Sequence, residues 1–87
     1  SHTKTAKTLY AARFSAALSM TLSSGMDIDE SLDMCENLLE NDYMREKLTE
    51  CRKKMTDGKA FVEALSETGI FSAVNENDKH SVQYRYA

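Results

Sequence analysis

The sequence contains no proline and only 3 glycines. Proline breaks helix interiors and glycine weakens them, so a chain this poor in both suits continuous helix. It has only 2 cysteines, Cys35 and Cys51, too few for the disulfide framework that staples small secreted domains. Both fall on apolar helical stripes, which reads as buried, reduced thiols and a cytoplasmic setting. No apolar run approaches the roughly 20 residues that cross a bilayer, so direct membrane insertion by this segment is not expected. Ser1-His2-Thr3-Lys4 shows no signal-peptide pattern and fits a vector-derived remnant. Cations are scattered as well: 11 Lys and Arg against 14 Asp and Glu give a net charge of −3. A nucleic-acid footprint needs clustered Lys and Arg. The one basic run, Arg52-Lys53-Lys54, reads as a solvated face near a helix C-terminus, where positive charge complements the dipole.

What is present is apolar spacing at steps of three and four. Tyr10, Phe14, Ala17, Leu18, Thr21 and Leu22 mark one helical face; Ile28, Leu32, Cys35 and Leu39 mark a second. Met44, Leu48, Cys51 and Met55 form a third stripe, and Phe61, Ala64, Leu65 and Thr68 a shorter fourth. Gly25, Gly58 and Gly69 each fall where a helix ends. The expected fold is all-α: a compact antiparallel bundle of four helices at about 5–24, 27–40, 42–57 and 60–68. With 87 residues the chain is one domain, expected over residues 1–71. Residues 72–87 form a tail in which Val82, Tyr84 and Tyr86 alternate like a strand edge, although a disordered or vector-derived segment is the simpler reading.

The stretch TLSSGMDIDESL (21–32) crowds acids behind a glycine. A calcium-binding loop starting at Asp27 needs an oxygen ligand, a glycine and a glutamate at its fifth, sixth and twelfth positions. Ser31, Leu32 and Leu38 stand there, so the glycine and the bidentate glutamate are missing. As a helix start the stretch is coherent. Asp27 accepts from first-turn N–H groups, Glu30 completes a capping box, and Asp29, Glu30 and Asp33 meet the positive end of the dipole.

Catalytic signatures are missing. His2 and His80 have no partner at ligand spacing, Cys35 and Cys51 are too far apart for a zinc pair, and no glycine-rich phosphate loop or nucleophile elbow occurs. No catalytic, cofactor-binding or metal-ligating residue is assigned, and no enzyme is expected. Met44 and Met55 sit on a core stripe, whereas Met20, Met26 and Met34 are placed to face a partner.

Arg13-Phe14-Ser15 with Leu18, Leu22 and Ser23-Ser24-Gly25, the Ile28/Leu32 pair, Asn41, Arg45 and Leu48, and finally Gly58, Phe61, Glu63-Ala64-Leu65, Gly69 and Phe71 recur in one order. In that order the sequence closely resembles the type II secretion system F domain over roughly residues 11–71. It departs from the family at Ala60, where a serine cap is usual, and after Phe71, where two further helices are expected. The resemblance implies a non-enzymatic scaffold domain of a secretion or pilus-assembly platform protein at the cytoplasmic face of the bacterial inner membrane. It implies partners among the assembly ATPase and other inner-membrane components, and motion passed on to pilin or pseudopilin subunits. Four helices of a six-helix core leave an apolar face uncovered, so a homodimer or higher oligomer is expected. The acids Asp29, Glu30, Asp33, Glu36 and Glu40 are the expected partner contacts. The competing readings are a free-standing helical adaptor and a helix-turn-helix DNA-binding regulator turning at Gly58. Glu63 and Glu67 in the helix after that turn repel phosphates.

Overall fold

The computed structural model describes residues 3–72. Four helices form: α1 (Lys4–Ser23), α2 (Ile28–Leu39), α3 (Asp42–Thr56) and α4 (Phe61–Glu67). Each expected helix is present, its ends displaced by no more than a single residue. No strand occurs among the described residues, and the fold class is an all-α bundle. The expectations on His2, His80 and residues 73–87 lie outside the described residues.

Side chains at the helix starts accept the first orphan N–H groups. Thr3 Oγ1 accepts from Ala6 N at 3.0 Å, Asp27 Oδ1 from Glu30 N at 2.8 Å and Asn41 Oδ1 from Met44 N at 2.8 Å. The acidic stretch behind Gly25 is therefore a helix start, as its spacing predicts. α4 has Ala60 at the same position and no side-chain cap.

Three helices close through left-handed glycines, Gly69 (φ 78°) ending α4. Gly25 (φ 91°) and Gly58 (φ 105°) let the chain fold back so that Gly25 N and Met26 N donate to Leu22 O and Thr21 O, and Gly58 N and Lys59 N to Met55 O and Lys54 O. These are paired Schellman bonds. α2 ends differently, with Glu40 itself left-handed at φ 43°.

α1 packs chiefly on α2 and α3 chiefly on α4, with α2 against α3 joining the two pairs. Phe14, Leu32, Cys35, Met44, Leu48, Cys51 and Ala64 are buried in one shared cluster. Tyr10 and Tyr43 stack at 5.9 Å between centroids, and Phe14 meets Phe71 at 6.3 Å. Leu22, expected on the buried face of α1, is 36% exposed; Ala11 is buried instead. At about 100° per residue, Leu22 lies roughly 80° round the helix from Phe14, at the edge of the stripe rather than its centre. Besides Ala11, two further buried residues fall outside the expected stripes: Ser31, which is polar, and Ile70, just past Gly69.

Candidate interaction surface

α2 carries the acids expected to meet partners, and the fold divides them. Asp29 and Glu30 lie in its first turn, exposed at the positive end of the dipole. Asp33 and Glu36 stand one turn apart on a stripe turned toward α3, whose Arg45 and Arg52 are two turns apart on the facing side. Asp33 Oδ1 lies 2.8 Å from Arg52 Nη2, while Glu36 reaches Arg52 Nη1 and Arg45 Nε, each at 3.6 Å. Arg45 Nη1 also contacts Asp42 Oδ1 at 3.0 Å.

The Asp33–Arg52 contact is close but misaligned, so Arg52 Nη2 and Nε have no hydrogen-bond acceptor. It is an electrostatic tie rather than a directed bond. With the Asp33 side chain 66% exposed and that of Glu36 24% exposed, such pairs contribute about 0–1 kcal/mol each. What they supply is alignment of α2 with α3. Glu40, fixed in its left-handed corner, points its charge at solvent.

Of the five acids, then, Asp29, Glu30 and Glu40 remain outward, and Asp33 and Glu36 are engaged within the bundle. Their arginine partners escaped the sequence reading, which took each stripe alone. The signal was there in two charged rows of opposite sign, on helices joined by a connection too short to keep them apart.

The basic run divides in the same way. Lys53 is exposed, Arg52 faces α2, and Lys54 donates to Glu67 Oε1 at 3.0 Å. Lys59 donates to both Glu67 oxygens, at 2.6 and 2.7 Å. These hydrogen bonds, from Lys59 first and Lys54 second, hold the Glu67 carboxyl below the ordinary range and raise the Lys54 ammonium above its own. The node ties the end of α4 back to α3 and to the turn between them.

Burial pushes both thiols up, with Thr21 beside Cys35 and Arg52 beside Cys51 opposing it in part. Both cysteines are free and buried, inert filling rather than nucleophiles. On the outer surface Leu9, Met20, Met34, Leu38 and Val62 are exposed apolar side chains. Among the described residues no helix is long and apolar enough to cross a membrane.

The family described as type II secretion system (T2SS), protein F, matches residues 14–76. The match begins at Phe14 and runs past Phe71. No curated protein and no solved structure matches the chain.

Proposed function

Because the chain belongs to the type II secretion system protein F family, we propose that it is a non-enzymatic scaffold domain of an inner-membrane secretion or pilus-assembly platform protein. It works on the cytoplasmic side, coupling an assembly ATPase to the growth of a pilin or pseudopilin filament. The observation that carries this reading is the family match over most of the chain. The α2 surface supports it, since Asp29, Glu30 and Glu40 are exposed and make no ion pair among the described residues. These three carboxylates are the proposed contacts with the ATPase or another machine component, with Asp33 and Glu36 setting the angle of the helix that bears them.

The domain proper spans residues 1–71 and acts as a two-fold homodimer. Leu9, Ala12, Ala16 and Met20 are exposed at steps of three and four along α1, an apolar row suited to the same row on a second copy. Sedimentation at micromolar concentration then gives a dimer, and Met20→Lys returns it to a 9.8 kDa monomer. A wild-type monomer rules the dimer out.

The functional reading is tested with the double substitution Asp29→Lys/Glu30→Lys in the full-length protein. Secretion or piliation and co-purification of the ATPase are expected to fall, with the thermal melt of the domain retained. Undiminished secretion together with unchanged ATPase recovery overturns the assignment of this surface.

A further inference from the structure

Lys7 of α1 and Lys47 of α3 converge on one aromatic ring. Their Nζ atoms lie 5.3 and 5.6 Å from the Tyr43 centroid. Each contact is an attractive cation–π pair, yet two ammonium groups drawn to one ring repel each other. Neither has a carboxylate within ion-pair distance among the described residues. The arrangement is unlike the arginines of α3, both of which meet acids. Lys4, Gly69, Ile70 and Ser72 complete the walls of an open cleft of about 370 Å³. A chain of net charge −3 thus gathers three lysines round one pocket and leaves at least two of them uncompensated. An anion in the cleft that both lysines line turns their mutual repulsion into two attractions, with the Tyr43 ring beside each ammonium group.

We propose that this cleft binds the phosphate of an anionic phospholipid headgroup and so seats the domain on the membrane surface. The choice of lipid rests on the inner-membrane setting proposed above. It also rests on the chemistry: lysines gathered beside a tyrosine ring are the residues that favour a membrane–water boundary. The contact is peripheral, made by charge and one aromatic ring, and requires no insertion. Each lysine brought to an anionic surface raises binding roughly fivefold at physiological salt.

The test uses the whole chain and co-sedimentation with vesicles of phosphatidylcholine mixed with phosphatidylglycerol, beside vesicles of phosphatidylcholine alone. Binding to the mixed vesicles only is expected. Lys7→Gln/Lys47→Gln should lower that binding by roughly 25-fold, and Lys53→Gln, an exposed lysine elsewhere on α3, should leave it nearly unchanged. Circular dichroism verifies that each variant keeps its helix content. A loss of about fivefold in Lys53→Gln, the same per charge as in the double variant, means diffuse attraction and overturns the site, as does equal binding to both vesicle types. A parallel NMR titration follows the amides of Tyr43, Lys47 and Ile70 with inorganic phosphate and with polyglutamate. Shifts with phosphate and no vesicle binding mean a free-phosphate site; shifts with polyglutamate alone mean an acidic protein partner. Either result removes the lipid assignment. Vesicle binding needs no secretion machine, so its failure leaves the platform reading standing. Undiminished secretion in the Asp29/Glu30 experiment, conversely, leaves the cleft untouched.

Discussion

Ala60→Ser should stabilise the protein. Among the described helices, only α4 has a cap position with no hydrogen-bonding side chain. Ala60 already has the extended backbone that a cap requires, with φ −66° and ψ 149°, close to the −73° and 169° of Asp27. The first backbone bond of α4 runs from Ala64 N to Ala60 O, so the N–H groups of Phe61, Val62 and Glu63 precede the internal ladder. A serine hydroxyl at 60 can accept from Glu63 N as Asp27 accepts from Glu30 N. Glu63, three residues on, can reach back to make the reciprocal half of a capping box. Ala60 is exposed, so no packing is lost. The gain is about 1 kcal/mol, which for a domain of this size raises the melting temperature by roughly 4–8 °C. Thermal melts followed at 222 nm and urea titrations read it directly, with the midpoint moving and the m-value constant. An unchanged or lower midpoint at constant m-value refutes the reasoning. It would show that the start of α4 is already satisfied, or that α4 adds nothing to the cooperative unit.

Leu48 is fully buried among the helices, and Leu48→Ala should cost about 2–5 kcal/mol; a urea midpoint left unmoved would refute its place in the core. The Ser31 hydroxyl is buried without a partner, so Ser31→Ala should raise stability by about 0.5–1 kcal/mol, and a lower melting temperature would reveal a bond that the geometry lacks. Glu67 has its carboxyl pKa depressed by Lys59 and Lys54. Its contribution is therefore present above the unfolded pKa near 4.5 and lost as pH falls through the lower folded value. Glu67→Gln should melt below wild type at neutral pH, and the gap should close on acidification below about pH 4.5. A gap that stays constant down to pH 3 would mean that the lysine bonds contribute nothing to folding.

The helices were legible because their stripes and stops agree. In α2 and α3 the apolar steps and the acids at the start indicate the same boundaries, and Gly58 closes α3. α1 was less so, because alanines run round it and leucines lie on more than one side; Leu22 continues the spacing of Leu18 yet sits at the rim of the contact. Ser31 and Ile70 were missed for opposite reasons. A serine inside a stripe reads as polar, and Ile70 lies beyond the last turn, although an apolar residue just after a closing glycine commonly packs back on its helix. Within the acid row, spacing identified the face of α2 but was blind to what faces it. Which carboxylates meet arginines depends on how α3 is rotated against α2, and a single-helix pattern carries no such information. The ring of lysines at Tyr43 was hidden for the same reason, since positions 4, 7, 43 and 47 are distant in sequence and meet only in the folded chain.

The corner at Glu40 differs from its neighbours in how far it can swing. A side-chain-bearing residue in the left-handed region is confined to a small well, whereas glycine roams over several. The junction between α2 and α3 therefore has little rotational play, and the carboxylate–guanidinium contacts beside it remove more. The angle between the two closely packed pairs, α1 on α2 and α3 on α4, is thus set at one corner held in a single narrow backbone well.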